Sequence, residues 1–486
     1  MAASPLSSDS IVRQLHALLG ERHVFSSANA LARFIDEPRH RFHTAPVAAV
    51  QPSTREKLQE LVRWASENKV PLVPQGGNTG LVGGQIPLTG HEIIVSLGRL
   101  NTIRSLDREA GFMVAEAGVT LQEVQERAAE EKLLFPLAIA SQGSAQIGGV
   151  LSTNAGGVQV LAYGNARKLC MGIEAVLPDG ALYQGLNGLK KNNTGYDLSN
   201  LFVGAEGTLG FITAASLSLF PQPEDHETAW INVASPAAAL RLFRFMAERS
   251  GNTLTAFELM PRFGIEMQLK HKVIERDPAA SLSPWYVLAE ISRPRGGQEG
   301  LLAEGLEAAF EAELIADAVI ARSLWERDFL WQVREHMSST QSLEGASIKH
   351  DVSVPVSAVP ELISRGIEAA EKIVPGIRPC PFGHLGDGNI HFNFTQPEGG
   401  DPAAYMAGAQ PVHDAIHGIV FDLNGSFSAE HGVGQLKTDL LLAHKDPVAL
   451  HLMARIKRTL DPNNIMNPGK VLAPQLLAET EPPAET

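Results

Sequence analysis

Three glycine-rich stretches in the first 210 residues constrain this chain more than any other feature. They are QGGNTGLVGG (75–84), QGSAQIGGVLSTNAGG (142–157) and NNTGYDLSNLFVGAEGTLG (192–210). The chain holds 44 glycines and no low-complexity tract, so these residues are expected where the backbone turns tightly or approaches a ligand. Ahead of the first stretch, residues 54–69 repeat Leu58, Leu61, Val62 and Ala65 at helical spacing, and residues 70–74 form an apolar run. That pattern predicts a helix and then a strand running into the loop. Consecutive glycines with Asn78 and Thr79 can present several backbone N–H groups to a pyrophosphate. The loop matches neither G-x-G-x-x-G nor G-x-x-x-x-G-K-[ST], so nicotinamide Rossmann and P-loop readings lose their motif. One such loop is equally consistent with a structural turn. Three in one domain ask for an extended ligand lying along the backbone.

Length and composition bound the rest. At about 150 residues per domain, 486 residues give two or three domains. A hydrophobic fraction of 44%, a charged fraction of 19% and a mean hydropathy of -0.02 describe a globular chain and exclude disorder for its bulk. The net charge of -14 excludes a whole-chain electrostatic grip on nucleic acid or anionic lipid. The two cysteines, Cys170 and Cys380, cannot build a disulfide framework; they read as buried thiols in a reducing compartment. The N-terminal residues lack a basic segment followed by an apolar one, and no window has the apolar length of a membrane helix. A cytoplasmic location follows, with the mitochondrial matrix left open for a eukaryotic source.

Along the chain, residues 172–176 and 181–184 flank a Pro178-Asp179-Gly180 turn, and the first two hundred residues read as α+β. From Ala229 onward, apolar strands at 230–233 and 285–291 alternate with helices at 236–248 and 298–313, which places a boundary near Pro221-Gln222-Pro223. The tail from Pro474 is Pro-rich and acidic and is expected to be disordered.

A second constellation lies far from the glycines. In GHLGDGNIHFNF (383–394), Asp387-Gly388 predicts a two-residue type I′ turn, and His391, Phe392, Asn393 and Phe394 alternate polar with aromatic. Pairing Gly386 with Asn389 sets Leu385 against Ile390 and His384 against His391, with Cβ atoms about 4.5–5.5 Å apart. Asn393 shares that face, while Ile390, Phe392 and Phe394 turn to a core. Two imidazoles on one face point to a metal, and a divalent ion so held usually takes a carboxylate as well. Glu430 in SAEHGVG (428–434) offers one, and His431 beside it is a candidate proton acceptor; a capped turn with an exposed histidine is the alternative. Upstream, Arg334 and Ser338 are four apart on an expected helix and share a face, and Lys349 begins an expected strand. By composition alone Arg334 and Lys349 are surface charges, and His336 and His350 are structural or solvent-facing.

The stretches PQGGNTGLVGG, IGGVLSTNAGG and TGYDLSNLFVGAEGTLGFIT, with the ending DPNNIMNPGKV (461–471), resemble the flavin-binding domain of the vanillyl-alcohol oxidase superfamily, nearest its D-lactate and D-2-hydroxyglutarate dehydrogenases. The resemblance implies an α+β fold: a two-part FAD-binding domain (1–222), an α+β substrate or cap domain (223–424) and a helical C-terminal segment (425–473), followed by the tail (474–486). It implies FAD, non-covalent because no side chain in the first loop suits histidyl attachment. The implied flavin contacts are Pro74, Gln75, Gly76, Gly77, Asn78, Thr79, Gly80 and Leu81 from the first loop and Gly143, Ser144, Gly148, Gly149, Thr153, Asn154 and Gly156 from the second, with Gly207, Ile212 and Asn467 beyond them. It assigns His384, His391 and Glu430 to a divalent metal, zinc before manganese, cobalt or iron, and His431 to catalysis. Arg334, Ser338, Lys349 and Asn393 are its substrate residues, with Ser338 standing where a Thr is expected if 2-hydroxyglutarate is preferred.

The implied activity is oxidation of a D-2-hydroxy acid to the 2-oxo acid. Electrons would pass to an electron-transfer flavoprotein, quinone or cytochrome; nucleic acid and an integral membrane segment are not expected, and a homodimer is left open. Two cations, Arg334 and Lys349, exceed what one carboxylate needs, which favours D-2-hydroxyglutarate or D-malate over D-lactate. An oxygen-using flavin oxidase, a flavin carrier subunit and a metallohydrolase built on His384, His391 and Glu430 are the competing readings.

Overall fold

The computed structural model describes residues 6–478. It divides into two compact units, one made of Met1–Gly157, Gly164–Pro221 and Glu430–Thr486, the other of Val158–Tyr163 and Gln222–Ala429.

The first unit holds two sheets. In the four-stranded one, Ala48–Val50, Ile93–Ser96 and Leu72–Gln75 run parallel, with Val24–Phe25 antiparallel at the edge. Ile93, Ile94 and Val95 have no exposed surface, as continuous apolar runs in a parallel sheet require. The preceding helix is Arg55–Asn68. The Thr54 side chain accepts from the Lys57 N–H at its start, a cap worth about 1 kcal/mol. Leu58, Leu61, Val62 and Ala65 are its buried face, each larger side chain contributing about 1.5–3 kcal/mol by leaving water. The five-stranded antiparallel sheet runs Ile103–Asp107, Phe112–Glu116, Phe211–Ser218, Cys170–Val176, Leu182–Gln184. Its last hairpin closes at the expected turn, where the Gly180 N–H donates to the Leu177 carbonyl at 2.8 Å.

The C-terminal segment belongs to this unit because the Leu72 N–H donates to the Ile465 carbonyl and the Asn467 N–H to the Leu72 carbonyl, both at 2.8 Å. Two expectations need correction. Residues Pro474–Ala478 form a short helix rather than a disordered start to the tail; Leu476 is the apolar side chain that docks it, 9% exposed. The remainder of the tail lies outside the described residues. Cys170 is half-buried, whereas Cys380 is fully buried, and burial pushes the two thiols up to about 11 and about 12.

The second unit is a seven-stranded sheet in the order Asp317–Ile320, Asp225–Val233, Trp285–Arg293, Leu254–Pro261, Arg378–His384, Asn389–Thr395, Ser347–Ser353, with every pairing antiparallel. Alternation sorts its side chains. Ala229, Ile231, Ile390, Phe392 and Phe394 face the core formed with helices Pro236–Ser250, Leu301–Glu311, Val359–Ile373 and Gln410–Asp422. Trp230, Tyr286, Leu288, Cys380 and Phe382 face the opposite way, toward helices Arg262–Lys270 and Leu324–Glu335. Among the described residues no helix is long and apolar enough to cross a membrane.

Candidate functional site

The three glycine loops meet inside the first unit. A Cβ at Gly77 would lie 1.7 Å from the Ser144 carbonyl oxygen, and one at Gly76 would be 3.6 Å from the Gly149 nitrogen. The first and second loops therefore abut backbone to backbone. A Cβ at Gly207 would meet Pro74 at 2.2 Å, which brings in the third loop. Asn467 ties the first and third together, its Nδ2 donating to the Gly84 carbonyl at 3.0 Å and the Glu206 carbonyl at 2.8 Å.

The other expected flavin residues fall around this junction. Gln75 is buried and spends its amide on the Phe34 and Gln85 carbonyls, so its side chain braces the loop from within. The Gly80 carbonyl accepts from Gln85, and Thr79 and Leu81 are half-buried beside it. Gly143 packs by Gln122 and Gly148 against Ala117. Thr153 ends the helix Ile147–Ser152, with its Oγ1 on the Gly149 carbonyl. Asn154 accepts from the Arg167 N–H, and Ile212 is buried in its strand.

The buried side-chain atoms Asn78 Oδ1, Gln146 Oε1, Asn467 Oδ1 and Lys470 Nζ have no hydrogen-bond partner. Each such atom costs about 1–3 kcal/mol; Asn78 and Gln146 lie in the first and second glycine-rich stretches and Asn467 and Lys470 in the C-terminal motif, where a large polar ligand such as FAD would supply partners.

The Glu430–His431 loop is built onto the same unit. Glu430 accepts from the Gly157 N–H at 2.9 Å, against Gly156, where any side chain would strike its carboxylate. Glu206 then receives the Val433 N–H at 2.7 Å and the Gly434 N–H at 2.8 Å. Gly432 takes φ 81° and Gly434 φ 54°, and a Cβ on either would collide with Glu206 or with the Val82 carbonyl. Burial pushes the Glu206 carboxyl up, against the pull of those two N–H groups.

In the second unit the histidine hairpin differs from its predicted register. Residues Leu385–Asp387 form a 3-10 turn and Gly388 follows at φ 85°. His384 therefore pairs with Asn389, and His391 with Phe382. The expected type I′ turn is absent, because Gly388 is pressed against the Val354 carbonyl and its own carbonyl accepts from the Val354 N–H. The slip is two residues, which preserves the face. The His384 and His391 rings stand 5.7 Å apart between centroids, diagonal rather than directly opposed. Asn393 shares their face and donates to Gln341 at 2.8 Å.

Arg334 and Ser338 are not on one helix. The helix Leu324–Glu335 stops at His336, and Ser338 lies in the short helix Met337–Thr340, bent as buried Met337 packs onto Gly264. Ser338 meets Lys349 instead, whose Nζ donates to both its carbonyl and its hydroxyl at 3.1 Å. Arg334 is 7% exposed and is no surface charge. Its Nε donates to Glu258 at 2.7 Å. Burial alone would raise the Glu258 carboxyl, yet His384 and Arg334 outweigh it and hold it at about 2.

Residues 46–184 match the FAD binding domain family, and residues 222–471 match the C-terminal domain family of FAD linked oxidases. The mitochondrial D-2-hydroxyglutarate dehydrogenase of Rattus norvegicus is 35% identical over 87% of this chain and 77% of its own length. The D-2-hydroxyglutarate dehydrogenase of Stutzerimonas stutzeri is 33% identical over 96% of this chain and 100% of its own length. The chain belongs to the FAD-linked D-2-hydroxyacid dehydrogenases. Its fold is also that of p-cresol methylhydroxylase, solved with substrate bound, at a TM-score of 0.75 and 18% identity, covering 96% of this chain and 97% of that one. Alkyldihydroxyacetonephosphate synthase follows at 0.73 and 18% identity, with 96% and 87% covered.

Sequence reasoning missed four residues of this dehydrogenase. Glu206 carries the His431 loop, and Glu258 lies against His384 and Arg334. Asp351 is buried opposite His391 in the sheet register and accepts from Asn389. Lys470, 2% exposed, is lowered to about 8, by burial first. The only sequence signal for Glu206 and Lys470 is their place inside the glycine-rich and C-terminal motifs.

A first expected outcome concerns the cofactor. The purified dehydrogenase should show flavin absorbance, and acid precipitation should release all of it as FAD, since backbone N–H groups and not a covalent bond would hold it. Colourless protein that takes up no added FAD would contradict the flavin assignment, and flavin retained in the pellet would contradict the non-covalent one.

Proposed function

We propose that this dehydrogenase oxidises D-2-hydroxyglutarate to its 2-oxo acid, with D-malate and D-lactate as poorer substrates, and delivers electrons to an external acceptor such as an electron-transfer flavoprotein, quinone or cytochrome. The observation that carries the substrate is the set of relatives of that name, 32–35% identical over most of the chain. Counting cations no longer supports it, because the charge of Arg334 is offset by Glu258.

Bound FAD supplies the two-electron acceptor and a divalent ion, zinc before manganese, cobalt or iron, supplies a Lewis acid. The residues that would hold the ion are His384, His391 and Glu430, a donor set of two imidazoles and a carboxylate that suits such a metal. Because ionised Glu258 can only accept, His384 carries its proton on Nδ1 and offers Nε2. His431 receives the substrate hydroxyl proton on its imidazole. Arg334, with one N–H committed to Glu258, and Lys349, steadied by Ser338, take the carboxylates and set the substrate's orientation. Asn393, fixed by Gln341, lines the same face of the sheet.

The test is kcat/KM for the D-enantiomers of 2-hydroxyglutarate, malate and lactate in the wild type and in Lys349→Ala. D-2-hydroxyglutarate should lead. Lys349→Ala should cost it about 10- to 100-fold more than it costs D-lactate, the value of one hydrogen bond to a charged group. A preference for D-lactate, or equal losses on all three acids, would withdraw the dicarboxylate. Peroxide formed in step with turnover under air would replace the external acceptor by oxygen.

A further inference from the structure

Glu258 is the most deeply buried carboxylate near the histidine hairpin, 1% exposed, and it stands directly opposite His384 in the sheet register. Its Oε1 is 2.7 Å from His384 Nδ1 and its Oε2 is 2.7 Å from Arg334 Nε. The two contacts divide the carboxylate, one oxygen to each partner. Arg334 is itself held, with Cζ 5.0 Å from the centroid of the Phe382 ring, and Phe382 is the residue paired with His391.

A carboxylate in such a place is costly unless it is paired, and an Arg pair alone would satisfy that need. The second oxygen on a ring nitrogen does something different: it fixes which nitrogen of His384 carries the proton and how the ring is turned. Metal-ligating histidines are oriented by such a bond from the far ring nitrogen.

We propose that Glu258 is a positioning residue which presets His384 to offer Nε2 to a divalent ion, with Arg334 as the counter-ion that keeps the buried carboxylate charged. This rests on the reading that His384 binds the metal. Glutamine at 258 keeps the volume but removes the charge and can no longer dictate the tautomer.

The experiment measures zinc per chain after dialysis of the FAD-loaded protein against a series of chelator-buffered zinc concentrations. Glu258→Gln should weaken zinc binding by about 10- to 100-fold, the usual effect of losing such a partner, with the flavin spectrum unchanged. In cobalt-loaded protein it should shift the visible d–d bands, a response that a merely structural ion pair would not give. If Glu258→Gln does not fold because Arg334 is left unpaired, Glu258→Gln with Arg334→Met removes the stranded cation and should show the same loss of affinity. Wild-type zinc affinity and cobalt bands in whichever of these variants folds, alongside loss of zinc in His384→Ala, would overturn the role of Glu258 alone. Zinc retained by His384→Ala would overturn the metal reading beneath it.

Discussion

His431→Ala is expected to lower kcat by about 10²–10⁴, the contribution of a positioned general base, while metal and flavin content stay at wild-type levels. The loop has backbone anchors that the substitution does not touch. Glu206 receives the Val433 and Gly434 N–H groups, and Gly432 and Gly434 take left-handed conformations. Anaerobic stopped-flow reduction of the flavin isolates the step in which the hydroxyl proton leaves, and the loss should appear there. Glu430→Ala should differ in kind, losing metal as well as rate. If both variants lose metal equally, or if His431→Ala reduces its flavin at the wild-type rate, the roles given to the adjacent pair are wrong.

The second large effect follows from His384 and His391. Either His→Ala change, or prolonged chelation, should remove the divalent ion and cut turnover by about 10²–10³-fold, the loss of several kcal/mol of charge stabilisation. The flavin spectrum should not move. The glycine-rich stretches (75–84, 142–157 and 192–210) and the hairpin (383–394) are separate parts of the chain, so the substitutions leave the sequence of the flavin loops intact. Returning the ion should restore the chelated wild type and not the variants. Metal-free protein that turns over at the native rate would make both histidines structural.

Whatever short-range geometry controls was legible in the residues alone. Helical spacing located Arg55–Asn68 and its buried face, and the glycines marked where backbone must approach backbone, as at Gly77 and Ser144. Local geometry also determined which face of the hairpin carries His384, His391 and Asn393, because side chains alternate with period two and a slip of two residues leaves the face intact.

The turn itself was settled by tertiary structure: Gly388 is pinned against Val354 from a neighbouring part of the chain, and a local turn preference is weaker than that contact. The same holds for the bend at His336, which follows from packing Met337 on Gly264, and for the docking of Leu476. Glu258 was illegible for a further reason. Its partners are 126 and 76 residues away in sequence, and a single glutamate in an apolar strand carries no sign of them. Arg334 reads as an exposed charge in sequence for the same reason: only the fold brings Glu258 to it, and a buried guanidinium is tolerated only where such a partner exists.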